Sequence, residues 1–490
     1  MPAVFSKRES VMHRKLYGIQ IPDSKIEELK TIGGENGEPL ACYALMITEQ
    51  GEDSLIRTQV WLPQSYNGRF LGLGSGGQAG ILADTPTSYL KEGYAVAATD
   101  MGTSRYVSGE KTKASADLFA DYTHRSTHLM AVIAKACIKA YYGEEPKYSY
   151  FFGQSAGGLQ GYSEVQSYPE DFDGVIAGVP SNNALHLILY FLWLHQKLHR
   201  EDGSARIPYD DAKRISSLAT EFFQSRGDGE AGDPFITYPY TDENTVADFL
   251  IFLQERMPAL SAEQISVLKE VYDGPKHPRT GEQLFCGLPI GAELNCGYFS
   301  EGANFGFFWF RLFFGEGYDD RNFSFDTHYE QLLSAIGKDF TANDPDLSAF
   351  ASRGGKFLTY SGTEDASGPW ADAMKYYNRV CAAMGGYENA QGFYKHFVLP
   401  GRGHGERGRG LFCPRGRDLN ESLLSALRGW REEGIAPEYL LCAHYDTNED
   451  GTRSLAYTRK IFPYRGDKTR EGVDFPKTTS DRILSYIENM

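Results

Sequence analysis

Gly153-Gln154-Ser155-Ala156-Gly157 sets a hydroxyl between glycines. It follows the strand-like run Tyr148 to Phe152 and precedes a helical pattern. A G-x-S-x-G segment in a strand, tight turn, helix context is the setting of a nucleophilic serine, because the sharp turn pushes the hydroxyl out at the strand end. The pentapeptide alone is also compatible with an ordinary glycine-rich turn. What decides between these readings is whether the chain supplies the partners. A serine hydroxyl is a poor nucleophile until a base takes its proton, and the base should be near neutral in pKa, which points to histidine.

His404 stands in Pro400-Gly401-Arg402-Gly403-His404-Gly405, just after the strand-like run Tyr394 to Leu399. A glycine-rich loop at a strand end suits an exposed imidazole. His396 is the rival, but it lies inside the strand and reads as structural, and His328 and His444 lack the loop context. Asp365 lies in Gly362-Thr363-Glu364-Asp365, directly after the run Lys356 to Tyr360. A buried carboxylate there would accept from the histidine Nδ1–H and stabilise the imidazolium. Glu364 is the alternative acid and Asp372 a weaker one. The order serine, acid, histidine is that of the α/β-hydrolases.

Gly72-Leu73-Gly74-Ser75-Gly76-Gly77 follows another strand-like run. Here a backbone N–H, from Gly77 or else Gly76, would face a developing oxyanion, with a second from Ala156. One such donor is worth about 3–4 kcal/mol in the transition state. Gly72, Gly74 and Gly77 also fit G-x-G-x-x-G, but a loop with Gly80 and Pro86 follows instead of a helix, which disfavours a dinucleotide site.

These segments need a scaffold. Ile56 to Leu62, Phe70 to Leu73, Ala95 to Thr99, Tyr148 to Phe152, Val175 to Val179, Lys356 to Tyr360 and Tyr394 to Leu399 read as strands. They alternate with helical patterns, which predicts an α/β fold with a mostly parallel sheet flanked by helices. A helix is predicted over His124 to Tyr142, with Leu129, Val132, Ile133, Ala136 and Ala140 on one face and Gly143 closing it. From about Ala184 to Phe350 the alternation breaks. The expected organisation is therefore a hydrolase core over 1–183, an inserted lid over 184–350 and the rest of the core over 351–490.

Composition narrows the class further. The 490 residues carry a formal charge of −16, which disfavours nucleic acid and anionic membrane surfaces as partners. The seven cysteines show no C-x-x-C pair and no H-E-x-x-H is present, so no metal or other cofactor is expected. Neither a signal-peptide stretch nor a run of about eighteen apolar residues occurs, and the expected location is cytoplasmic.

The chain resembles the tannase and feruloyl esterase family of α/β-hydrolases. The resemblance rests on Asn67-Gly68-Arg69-Phe70-Leu71 with Gly74 to Gly77, and on Tyr148 through Gly158 with Gln160-Gly161. It extends through Tyr168-Pro169-Glu170-Asp171-Phe172-Asp173-Gly174, Asp346-Leu347-Ser348-Ala349-Phe350, Arg353-Gly354-Gly355-Lys356, Pro400-Gly401 with Gly403-His404, and Gly434-Ile435-Ala436-Pro437-Glu438. It implies ester hydrolysis through an acyl-enzyme, with esters of hydroxylated aromatic acids as typical substrates. Two departures stand out. The family joins the residues before the serine and after the histidine by a disulfide, and these positions are Gln154 and Gly405 here. Secreted members also carry an Asp-rich calcium loop. The matching stretch, about Glu221 to Pro234, keeps Asp228-Gly229 but has Glu221 and Gln224 at other carboxylate positions, which leaves calcium as the weaker expectation.

Substrate contacts are expected from Phe308 and Trp309 in the aromatic segment Asn304 to Phe314, from Gln154, and from Arg402, which with Arg407 and Arg409 crowds the histidine loop. The expected partner is a small ester or lactone of aromatic or polyketide type, in a monomer or homodimer. Acyl transfer to another alcohol, or carbon–carbon bond hydrolysis, would use the same residues. A non-catalytic binding protein would have no use for the complete set Ser155, Asp365 and His404.

Overall fold

The computed structural model describes residues 15–464 apart from 35–36, 52, 180–181, 231, 238, 240–243, 301–306, 406, 414–418 and 449. The chain divides into two compact units, Met1–Ala177 with Lys338–Lys356, and Gly178–Gly337 with Phe357–Met490.

The first unit is built on β1 (Ser24–Gly33), β2 (Pro39–Glu49), β3 (Leu55–Pro63), β4 (Arg69–Leu73), β5 (Ala95–Thr99), β6 (Tyr148–Gln154) and β7 (Gly174–Gly178). Their spatial order is β1-β2-β3-β5-β4-β6-β7. The first three pairings in this order are antiparallel, whereas β4 pairs in parallel with both β5 and β6. β5 and β7 are buried along their whole length, and β6 is buried except at its ends, as continuous apolar runs require when both faces are covered. The sequence reading had not singled out β1 and β2.

Helix α1 (Ser126–Tyr142) ends on Gly143 in the left-handed region, as its position predicts. The buried stripe differs from the expected one. Val132 is exposed, and the covered face carries Met130, Ile133, Ala134, Cys137, Ile138 and Tyr141. The two stripes are neighbouring faces of one regular helix, and the apolar residues Val132 and Ile133 straddle their boundary; a π turn over Asp121–Arg125 precedes the helix. Helix α2 (Ala156–Ser167) follows β6 directly.

In the second unit the chain runs through helices α3 (Ala184–Leu198), α4 (Tyr209–Ser225), α5 (Thr245–Arg256), α6 (Ala262–Asp273), α7 (Phe307–Phe314) and α8 (Thr327–Ile336). β8 (Lys356–Gly362) then leads through α9 (Trp370–Ala383) to β9 (Tyr394–Leu399), which pairs with β8 in parallel. After α10 (Leu419–Glu433), β10 (Leu440–Thr447) and β11 (Arg453–Ile461) form an antiparallel hairpin. Among the described residues, no helix is long and apolar enough to cross a membrane.

The hairpin is tied to the loop after α4 by a buried ion pair. Arg459 Nη1 and Nη2 donate to Asp233 Oδ2 and Oδ1 at 2.6 and 2.7 Å, and both side chains are fully buried. Tyr457 and Thr237 hydroxyls donate to the same carboxylate. Removing one member of such a pair strands the other without its counter-charge. Arg459→Met should therefore lower the unfolding free energy by about 3–5 kcal/mol in urea denaturation, and adding Asp233→Leu should recover part of the loss. A wild-type midpoint for Arg459→Met would show that the pair does not tie the hairpin down.

Candidate active site

Ser155 forms the hinge between β6 and α2. Its φ is 58° and ψ −121°, a region that side-chain-bearing residues rarely occupy. Such strain costs on the order of 1–3 kcal/mol and persists only where the surroundings enforce it. Here the enforcement is steric. A Cβ on Gly153 would lie 2.1 Å from the Gly157 carbonyl oxygen, and one on Gly74 would lie 2.7 Å from the Gly157 Cα. The turn after β6 and the loop after β4 therefore meet backbone to backbone. Ser155 sits at the N-terminus of α2, where the helix dipole favours negative charge. Gln154 is half-buried beside it.

The loop after β4 is held from three sides. Gly74 N–H donates to Phe152 O at 2.8 Å, and Ser75 N–H to Gln160 Oε1 at 2.8 Å. Gln160 is itself fixed by donating to Thr127 Oγ1 at 2.7 Å. Tyr122, in the π turn, donates its hydroxyl to Gly77 O at 2.6 Å. Gly77 has a φ of 60°. With those bonds made, the N–H groups of Gly76 and Gly77 have no acceptor among the described residues. Ala156 N–H, in the first turn of α2, lacks an intrahelical acceptor as helix starts do.

Asp365 and His404 come together in the second unit. His404 Nδ1 lies 2.9 Å from Asp365 Oδ2 and 3.2 Å from Oδ1. Asp365 is fully buried, and its Oδ1 also accepts from Ser367 N–H and Gly368 N–H. Burial by itself would lower the His404 pKa. The charge and hydrogen bond of Asp365 outweigh it and the nearby Arg407 and Arg402, and the net direction is upward from 6.5. The carboxylate also selects the tautomer with the proton on Nδ1, leaving Nε2 as the acceptor. His396 is fully buried on β9, bonded to Thr359 and Ser361, and burial drives its pKa down to about 3. It is a neutral core histidine. Asp372 pairs with Lys375 on α9.

Glu364, the other acid weighed from the sequence, points to a different partner. Arg409 Nη2 lies 2.7 Å from its Oε1, and Asn295 Nδ2 lies 3.2 Å from its Oε2. Glu364 N–H donates to Arg402 O, and Gly401 N–H to Thr363 Oγ1. The acid-bearing and histidine-bearing loops are thereby laced together beside the Asp365–His404 bond. The arginines separate into distinct roles. Arg402 is fully buried over the rings of Tyr360 and Phe412 and donates to Gly405 O. Arg409 is engaged by Glu364, whereas Arg407 is exposed. The contacts made by Tyr122, Gln160 and the Glu364–Arg409 pair had no signal in the sequence, because each joins segments far apart in the chain.

The sequence profile described as tannase and feruloyl esterase matches residues 42–304 and 315–474. The chain belongs to the tannase and feruloyl esterase family. A probable feruloyl esterase B-2 from Aspergillus terreus is 30% identical over 448 residues, covering 86% of this chain and 82% of the relative. An uncharacterized esterase from Xanthomonas campestris is 28% identical over 479 residues, covering 87% and 81%. Among solved structures, an esterase from Aspergillus oryzae superposes with a TM-score of 0.78 at 25% identity, covering 92% of this chain and 96% of that one. A tannin acyl hydrolase from Aspergillus niger gives 0.71 at 17% identity, covering 98% and 96%, a likeness of fold alone. The chain is thus a carboxylic ester hydrolase with an α/β-hydrolase fold.

Two family features read differently here. All seven cysteines are free thiols, and Gln154 and Gly405 stand at the positions the resemblance assigns to a disulfide. In the stretch from Glu221 to Pro234, the oxygens that calcium would need are engaged by protein donors. Asp233 is held by Arg459, Tyr457 and Thr237, Gln224 donates its amide to Glu230 O and Asp233 O, and Glu221 pairs with Arg256. The residues do not fit a calcium ion, which needs several free oxygen ligands. In the aromatic segment, residues 301–306 lie outside the described ones; Trp309 is buried and meets Phe308 edge to face at 5.1 Å, with Phe308 half-buried.

With Asp365 as the cause of the upward shift, the His404 imidazole should titrate above pH 6.5 in an NMR titration of labelled histidine. Asp365→Asn should bring it below 6.5, since burial and the arginine charges then act unopposed. An unmoved midpoint in Asp365→Asn would assign the shift to another group.

Proposed function

We propose that this family member hydrolyses esters of hydroxylated aromatic acids through an acyl-enzyme on Ser155, with His404 as general base and Asp365 as its orienting acid. The observation that carries the reading is the 2.9 Å contact between His404 Nδ1 and Asp365 Oδ2, which puts the ring proton on Nδ1 and makes Nε2 the accepting nitrogen. In the proposed course, Nε2 takes the Ser155 hydroxyl proton as Oγ attacks the ester carbonyl. The oxyanion accepts N–H groups of Ala156 and of Gly77 or Gly76. Collapse releases the alcohol with that proton and leaves acyl-Ser155. Water, deprotonated by the same nitrogen, then frees the acid.

The aromatic preference is supported by the relatives named as feruloyl esterases and by the rings of Phe308 and Trp309. In this reading the exposed Arg407 of the histidine loop would meet a phenolate or carboxylate on the substrate. Gln154 and Gly405, in place of the family's paired cysteines, support a role in a reducing, cytoplasmic setting.

Ser155→Ala should keep the fold, by circular dichroism and melting temperature, and lose hydrolysis of aryl esters, methyl ferulate and methyl gallate by about three orders of magnitude or more. It should also lose covalent labelling by a fluorophosphonate. Because His404 must be neutral to act and its pKa is raised, wild-type kcat/KM should fall as pH drops, with the acid limb centred above pH 6.5. Turnover by Ser155→Ala at the wild-type rate would end the proposal. Products containing an added acceptor alcohol, seen by mass spectrometry, would instead indicate acyl transfer.

A further inference from the structure

Eight residues beyond His404 the chain makes an isolated antiparallel bridge with β10. Phe412 N–H donates to Ala443 O at 2.9 Å, and Ala443 N–H donates to Phe412 O at 2.6 Å. A pair that exchanges both hydrogen bonds is the wide kind, and the pair next to it is the narrow, non-hydrogen-bonded kind, with Cα atoms about 4.5 Å apart. That next pair is Cys413 and Cys442. Their side chains leave the same face of the bridge, and the sulfurs lie 3.7 Å apart in a fully enclosed setting. Disulfides accept Cα separations of roughly 4.4–6.8 Å, so a small rotation of the side chains, with the backbone in place, brings these atoms to bonding range.

The chemical surroundings favour reaction as well as proximity. Arg402 is wholly buried nearby, and its Nε and Nη1 have no hydrogen-bond partner among the described residues. The two thiols share a hydrogen bond, and that bond, joined by the Arg402 charge, lowers the Cys413 pKa below 9.0 despite burial. A thiolate is the form that attacks in exchange.

We propose that Cys413 and Cys442 form a cross-strand disulfide that staples the chain leaving the His404 loop to β10. The reaction is thiol–disulfide exchange with a small-molecule disulfide. Cys413 thiolate attacks one sulfur of the reagent and expels its first thiolate; Cys442 then attacks the Cys413 sulfur of the mixed disulfide and expels the second. Two protein thiols lose two electrons and two protons, and one reagent disulfide becomes two thiols. In a reducing setting the pair rests as the dithiol, and oxidation closes it.

The full-length protein is incubated in glutathione buffers stepped from reduced to oxidised until no further change occurs, then quenched with acid, unfolded, alkylated and mapped by mass spectrometry. A peptide linking Cys413 to Cys442 should accumulate at the oxidising end and disappear on adding reductant. The melting temperature of the oxidised wild type should rise by several degrees, because the link constrains the unfolded chain. Cys442→Ser, or Cys413→Ala should the first variant fail to fold, should show neither the linked peptide nor the rise. Recovery of both residues as alkylated thiols in the most oxidising buffer, their linkage to other cysteines instead, or an equal rise in the variants would overturn the proposal.

Discussion

A buried carboxylate beside an imidazole is the constraint on which the Asp365 and His404 loops of the second unit depend. Asp365 is wholly enclosed, and an ionised group so placed is tolerated only if donors surround it. Ser367 N–H, Gly368 N–H and His404 Nδ1 supply them. The same bonds that make the charge tolerable aim the ring, so burial and orientation are one requirement met by one set of contacts. Glu364, the adjacent residue, faces the other way and binds Arg409, which ties the two loops at a second point without drawing on the Asp365 oxygens. Where the family joins serine and histidine segments covalently, this chain has lacing by ion pair and backbone hydrogen bonds on the histidine side.

The first unit solves a different problem, that of holding a strained residue. Ser155 has no freedom to relax, because Gly74, Gly153 and Gly157 leave room for backbone and nothing more. Close approach of the two turns also brings the loop after β4 within reach of Gln160 on α2, and that contact engages the Ser75 N–H while leaving those of Gly76 and Gly77 without an acceptor among the described residues. Strain and donor placement thus come from the same packing.

The core strands were legible because strands buried on both faces read as unbroken apolar runs, and Ala95–Thr99 and Tyr394–Leu399 were bounded to the residue. Ser155, His404 and Asp365 were legible because strand ends and glycines mark loops in the sequence. β1 and β11 were not, since their residues alternate or lie open to solvent and carry little apolar contrast. The stripe on α1 was misread because apolar residues lie on both sides of the helix, and the face with Met130, Cys137 and Tyr141 is the one that is covered. Arg402 was expected to meet substrate, but it is fully buried, enclosed by two aromatic rings from distant segments.

The π turn at Asp121–Arg125 makes the chain length at this point matter. Such a turn is an α-helix with one residue too many. Losing that residue would cost no hydrogen bond in the helix itself, yet it would swing everything upstream by about 100° around the axis. Tyr122 would leave the carbonyl of Gly77. Segment length is therefore a constraint here beside residue identity: a deletion within it would detach the Tyr122 brace from the loop it supports.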